Sequence, residues 1–415
     1  MIKRVAILTG GGDVPGLNMC LKSLVYRVID LGFEPIGIRK GWEGFINYNP
    51  HDPTTYSEHF IELTKNMVRP IDRTPGSFLH SSRSDPRQIP ADKVPEFLRE
   101  KQVTSQDLTG HIEDVIHRLG YQALIVIGDD DTLHYAAYLS QKNIPIIAIP
   151  KTIHNNIHGT DYTLGFSTGL ARGVAFIHDL RALAGSREQV VVVETFAAKS
   201  GYSTLIMGFL SGADRVLIPE VAFDPDQLAS LVQQDKRETP ANYSVVLVCD
   251  GAQLAPNKSV QYAPWLHRSR HNSGVTPRRP APARLTDPEG VGRSLDDSLG
   301  VSGEYSGFSS GIVVTHLLSH ISGEEVLHQP LTYLLRTGSP DGQDLLGAAN
   351  FAMTAARLLY EGSYGRMAAF VQEKMWTHVD INLALEGVKT VDVEAWYDVE
   401  KYKPNLSIIW AVNEK

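Results

Sequence analysis

Cysteine is nearly absent: the 415 residues hold two, Cys20 and Cys249, each inside an apolar periodic segment. That usage excludes a disulfide framework or a thiolate metal cluster, and it predicts two buried small hydrophobes without a redox role. No run of about 18 apolar residues occurs, so no membrane-spanning helix is expected. The opening MIKRVAILTG reads as a strand without a signal-peptide cleavage site, and a cytoplasmic protein is expected. Basic residues are also in deficit, 39 Lys and Arg against 47 Asp and Glu, for a net charge of -8. Nucleic-acid binding needs a strongly basic surface and is not expected. No internal repeat occurs beyond two similar α/β halves.

What is present is an apolar share of 42%, enough for a folded chain whose length suggests two domains. Strand patterns at Arg4 to Thr9, Glu34 to Ile38, Ala123 to Ile127, Val190 to Glu194, Val216 to Glu220, Tyr243 to Val248 and Pro330 to Arg336 alternate with helical ones. The helical patterns cover Leu17 to Leu31, His111 to Leu119, Gly165 to Leu183, Gly201 to Leu210, Gly311 to Ser319 and Gly347 to Tyr360. Alternation of this kind predicts an α/β protein of two Rossmann-like domains, with parallel sheets flanked by helices. The expected limits are 1–150 for an N-terminal α/β domain and 151–345 for a second. A C-terminal segment, 346–415, is expected to pack back on both.

Composition shifts between Leu254 and about Gly303, where HRSRHNSGVTPRRPAPAR gathers prolines and arginines. A solvated insert is the favoured reading. Its cluster of Arg268, Arg270, Arg278, Arg279 and Arg284 also suits an anionic partner or a cover over the active site.

Three loops carry chemistry. Gly10 to Gly16 is a glycine-rich turn between a strand and a helix, a place where backbone N–H groups can receive an anion. Asp129, Asp130 and Asp131, followed by Thr132, stand at the carboxyl end of a strand, where open α/β sheets bind ligands. Their mutual repulsion calls for a cation, and Mg²⁺ on Asp130 is the physical expectation. Ile149 to Thr163, IPKTIHNNIHGTDYT, empties a short buried strand into a polar loop.

These loops resemble the signatures of phosphofructokinases in their pyrophosphate-dependent form. GGDVPGLN at Gly11 to Asn18 is similar to GGDxPGxN, and TPGSFLHSSRSDP at Thr74 to Pro86 to GGTxLGSSRxxP. GDDDT from Gly128 resembles GGDD-T, and PKTIHNNIHGTD resembles PKTIDNDxxGTD. Further on, ETFAAKSG, CDGA and RTGSP stand where the family carries VMGRxxG, AEGA and GHxQRGGSP. The similarity runs from Ile2 to about Pro404.

The resemblance implies the phosphofructokinase fold, a homo-oligomer (dimer or tetramer), and Mg²⁺-dependent transfer from pyrophosphate or ATP to a hydroxyl, in the family the 1-hydroxyl of fructose 6-phosphate. It assigns Gly11, Gly12, Arg83, Asp130, Asp131, Thr132 and Lys151 to the phosphoryl donor. Catalysis falls to His154, Lys151 and Asp130, with His154 at the position of the family's aspartate base. The acceptor falls to Thr152, Asn156, Phe196, Ala198, Lys199, Asp250, Tyr333 and Arg336.

The departures fall unevenly. His154 and Asn156 replace aspartates, Asp129 a glycine, Gln189 and Ala198 arginines, and Tyr333 a histidine. Each lost charged hydrogen bond to a sugar phosphate costs roughly 1.5–3 kcal/mol, so an acceptor less anionic than fructose 6-phosphate is expected. The alternatives are a non-catalytic phosphate- or nucleotide-binding paralogue and an ordinary pyrophosphate-dependent phosphofructokinase.

Overall fold

The computed structural model describes residues 3–100, 103–197, 199–262 and 309–405. Ala198 and the five insert arginines lie outside the described residues. In chain order the strands are β1 (Lys3–Thr9), β2 (Phe33–Ile38), β3 (Phe60–Glu62), β4 (Ile89–Pro90), β5 (Ser105–Gln106), β6 (Ala123–Gly128) and β7 (Ile146–Pro150). They continue as β8 (Val190–Thr195), β9 (Arg215–Leu217), β10 (Ser244–Cys249), β11 (Val326–Pro330), β12 (Arg366–Val371), β13 (Met375–Asp380), β14 (Tyr397–Asp398) and β15 (Lys403–Pro404). The chain divides into two compact units, one of Met1–Gly169 with Arg336–Val388 and one of Leu170–Leu335 with Lys389–Lys415.

In the first unit a seven-stranded sheet runs β13-β12-β7-β6-β1-β2-β3. Its centre is parallel, because β1 pairs with β2 and β6, β6 with β7, and β7 with β12. The central strands read as unbroken apolar runs, ALIVIG in β6 and IIAIP in β7, since both faces of a parallel sheet are covered. Alternate side chains serve opposite faces. Ala6, Leu8, Leu124 and Val126 pack with Trp42, Phe45, Ile112 and Tyr135 in one core. There Trp42 meets Tyr135 edge to face, with ring centres 4.9 Å apart. The helices Leu17–Asp30 and Gly342–Glu361 pack on each other and against strands of the same sheet.

The second unit holds a four-stranded parallel sheet in the order β11-β8-β10-β9. Val190 to Val193 and Val245 to Val248 form its buried centre. One of its helices, Pro225–Glu238, starts at Asp224, whose side chain accepts from the backbone N–H of Asp226, with Pro225 in the first turn. Beneath it Arg215 and Asp235 make a buried two-pronged ion pair, Nε to Oδ2 at 2.7 Å and Nη2 to Oδ1 at 2.5 Å.

The α/β architecture with helix-flanked parallel sheets is as the sequence predicts. One strand is displaced. Pro330 to Arg336 was the expected strand, but β11 occupies Val326–Pro330 and Thr332–Arg336 is a 3₁₀ turn. The Leu331 N–H still reaches Glu194 O at 2.8 Å, and then Leu334 N–H turns back to Leu331 O at 2.7 Å. Leu254 to Gly303 also begins with more order than expected: 256–262 is helical, tied by Lys258 and Tyr262 to Asp226 at 2.5 Å each. No helix among the described residues is long and apolar enough to cross a membrane.

Candidate active site

Three neighbouring parallel strands of the first unit end together. Thr9 of β1 lies beside Ile127 of β6, and Gly128 of β6 beside Pro150 of β7. The loops that follow therefore leave from one carboxyl edge, where open α/β sheets hold ligands. Hydrogen bonds stitch them: Gly10 N–H to Ile127 O at 3.0 Å, Lys151 N–H to Gly128 O at 2.8 Å, and Gly11 N–H to Ser82 O at 2.9 Å. This last bond, with Ser81 Oγ donating to Gly11 O at 2.5 Å, brings in the segment that carries Arg83.

Gly11 has to be glycine, and Gly12 is closely covered by side chains. Gly11 sits at φ 79, and a Cβ there would overlap the carboxylate of Asp129. A Cβ on Gly12 would overlap the guanidinium of Arg336 and come within 2.7 Å of Arg83 Nη2. Two guanidinium groups thus lie against one backbone. A lysine joins them: Lys151 is fully buried and its Nζ donates to Gly12 O. Burial pushes the Lys151 ammonium down to about 8; Asp129 and Asp13 oppose the shift, while Arg336 and Arg83 add to it.

Asp129 faces this cationic group. Its Oδ1 accepts from Thr132 N–H at 3.2 Å and Thr132 Oγ1 at 2.7 Å, which caps the helix Asp130–Gln141. Its Oδ2 accepts from Gly12 N–H at 3.2 Å. Burial works against the charge, but Lys151, Arg83 and the Thr132 hydrogen bonds outweigh it and hold the carboxyl below its usual range. The three acids are placed so that their mutual repulsion is eased. Asp129 turns inward to the cations, and Asp130 and Asp131 occupy the first turn of a helix, where the backbone dipole favours acids. Among the described residues no group of three or more His, Cys, Asp or Glu side chains is poised around a cation.

His154 follows Lys151 on the same loop, its backbone N–H bonded to Thr152 Oγ1 at 3.1 Å. The residue is half-buried, and Nδ1 is buried with no hydrogen-bond partner among the described residues. Burial, Arg336 and Arg83 push its pKa down to about 3 against the pull of Asp129. That lies well below the ordinary histidine value of 6.5 and favours the neutral imidazole. Asn156 is buried, with Oδ1 likewise unpartnered among the described residues.

Arg336, grouped with the acceptor residues by resemblance, has its guanidinium in this cluster beside Gly12. Gly11, Gly12, Arg83, Thr132, Lys151, Thr152 and His154 are gathered with it around one edge. In the second unit, Asp250 Oδ1 accepts from Ala197 N–H at 2.7 Å. Phe196 and Tyr333 meet edge to face, with centres 5.0 Å apart. Lys199 is exposed, and Gln189 donates to Glu325 at 3.1 Å rather than standing free.

Sequence reasoning missed Asp344. It is fully buried in the first turn of Gly342–Glu361 and accepts from Gly165 N–H at 2.7 Å, Thr168 N–H at 2.8 Å and Tyr162 Oη at 2.5 Å. It anchors the far end of the loop that carries His154. The signal available was the pair Asp341 and Asp344 at capping spacing.

A glycine loop, two guanidinium groups and a buried lysine at the carboxyl edge of a parallel sheet define an α/β protein built to receive an anion. The chain belongs to the phosphofructokinase family, whose model matches residues 4–359. It is 30% identical over 398 residues to the pyrophosphate–fructose 6-phosphate 1-phosphotransferase of Dictyoglomus thermophilum, covering 96% of this chain and 97% of that one. It is 32% identical over 252 residues to the ATP-dependent 6-phosphofructokinase of Streptococcus pyogenes serotype M5, covering 60% and 66%. The solved pyrophosphate-dependent phosphofructokinase of Nitrosospira multiformis superposes with a TM-score of 0.71 over 97% of this chain and 89% of that one; at 14% identity this shows the fold alone.

Proposed function

We propose that the chain is a phosphofructokinase-type phosphotransferase that moves a phosphoryl group from pyrophosphate to the 1-hydroxyl of fructose 6-phosphate. The observation that carries this reading is the clustering of Arg83, Arg336 and Lys151 around the Gly11–Gly12 backbone. Pyrophosphate is favoured over ATP because the pyrophosphate-using relative matches end to end and the ATP-using one over part of the chain. The acceptor likewise follows the name of the end-to-end relative, in preference to the less anionic acceptor inferred from the substitutions.

Phosphoryl transfer demands charge neutralisation and positioning more than covalent chemistry. Arg83, Lys151 and Arg336 neutralise and orient the donor, with Gly11 and Gly12 admitting it close to the backbone. The half-buried Asp130, in the first turn of its helix, suits Mg²⁺, which takes one or two carboxylates and completes its shell with water and phosphate oxygens. Bound there, Mg²⁺ would neutralise charge on the transferring group. As the acceptor oxygen bonds to phosphorus and the bridging P–O bond breaks, the hydroxyl proton passes to neutral His154. The arginines that disfavour imidazolium are offset by a bound donor's own negative charge, which raises the basicity of His154 when it is needed.

A second reading, transfer to a less anionic acceptor, is favoured by the Phe196–Tyr333 contact, which sets an aromatic pair beside Asp250's segment. Phosphate release is measured with pyrophosphate and with ATP across fructose 6-phosphate, other sugar phosphates, free sugars and nucleosides. Turnover of fructose 6-phosphate supports the first reading. Turnover confined to uncharged acceptors replaces it with the second, and silence with every pair overturns both.

A further inference from the structure

The carboxylate of Asp129 lies over Gly11, in the space a side chain on that glycine would fill, and takes the Gly12 N–H at 3.2 Å. A glycine loop leaves its N–H groups open so that an anion can approach. Here an anion is already present, and it belongs to the chain. Capping the helix Asp130–Gln141 uses only Oδ1, through Thr132. Oδ2 contributes nothing to that cap and is spent on the loop.

The charges around it point the same way. Asp129 is 8% exposed and Lys151 fully buried, so their attraction is little screened by solvent. Arg83 and Lys151 both stabilise the ionised carboxyl, and Asp129 in turn favours the charged lysine. An incoming phosphate would seek the same N–H and the same cations.

We infer that Asp129 is a resident anion of the donor cradle, a specificity-determining residue whose carboxylate must leave Gly12 before a phosphoryl donor can bind. This rests on the proposed donor site. Occupation from within lowers affinity for every polyphosphate, and it favours donors that bring enough charge, or a cation, to displace a carboxylate. A single neutral substitution then releases Arg83 and Lys151 together.

The experiment is isothermal titration of methylenediphosphonate with Mg²⁺ into the full chain, as the natural sequence, as Asp129→Asn and as Asp129→Ser. Asparagine and serine both keep a helix-capping oxygen, so the helix start survives while the negative charge is lost. Both variants are expected to bind at least about tenfold more tightly than the natural chain, which corresponds to roughly 1.4 kcal/mol. Both are also expected to show a larger rise in melting temperature with ligand. A variant that does not fold unaided is refolded in graded pyrophosphate; rescue supports the inference and its failure overturns it. Equal or tighter binding by the natural chain overturns the inference and leaves the proposed donor site standing. Absence of binding in all three overturns both.

Discussion

The phenol of Tyr162 donates to Asp344 Oδ1 at 2.5 Å, and that carboxylate also takes the N–H groups of Gly165 and Thr168. One buried acid thus holds the end of the loop that carries His154 and the start of the helix Phe166–Arg187. Asp344→Ala is expected to cost about 3 kcal/mol or more, since it strands several buried donors. Asp344→Asn, with one acceptor oxygen left, should cost less, and Tyr162→Phe about 1–2 kcal/mol. Urea unfolding of the three variants checks the order; a neutral Asp344→Ala would refute the anchoring role.

His154 links stability to pH. Its folded pKa of about 3 lies below the ordinary 6.5, so between those values the unfolded chain holds a proton that the folded chain refuses. The stability this provides is fully present above pH 6.5 and declines as pH falls, by up to about 1.4 kcal/mol per unit. His154→Gln should flatten the stability curve between pH 4 and 6.5 by about one proton. Chemical denaturation across that range measures it, and an unchanged slope would show that the ring titrates normally.

Lys151 should make donor binding alkali-sensitive. With a pKa lowered to about 8 by burial, its ammonium is lost as pH rises from 7.5 to 9.5, and affinity for pyrophosphate should fall in step. Lys151→Met should bind more weakly at pH 7 by at least about tenfold and lose that pH dependence. Calorimetric titration at several pH values tests both parts; a pH-independent natural chain contradicts them.

Gly12→Ala should impair transfer while leaving the fold. The added Cβ would strike Arg336, a flexible side chain that can retreat, so the damage falls on the cradle more than on the core. A loss of about 10²-fold in kcat/KM, with melting temperature within a few degrees, is the expected result. Steady-state kinetics and thermal unfolding together decide it; full activity would remove Gly12 from the site.

The substitutions at 154 and 156 were visible at once as departures, yet their meaning was not. Sequence supplied the histidine; it supplied no measure of the two guanidinium groups beside it. Arg336 illustrates the same limit, since it was grouped with the acceptor by its motif and stands against the glycine loop in the structure. Phe196 and Tyr333 fall in one acceptor group by resemblance, and their ring contact emerges only when β8 and β11 lie side by side.

By itself the sequence determined the order of strands and helices, and it determined that three loops would leave a common edge. Apolar runs fit only a sheet covered on both faces, and parallel βα units deliver successive loops to the carboxyl ends of the strands. The tertiary structure alone decided what those loops do to one another: Asp129 turned into the cradle, His154 stripped of its proton, and Tyr162 fastened to Asp344. These outcomes depend on distances between charges that are far apart in the chain and on how much water remains between them, and neither quantity is carried by the spacing of residue types.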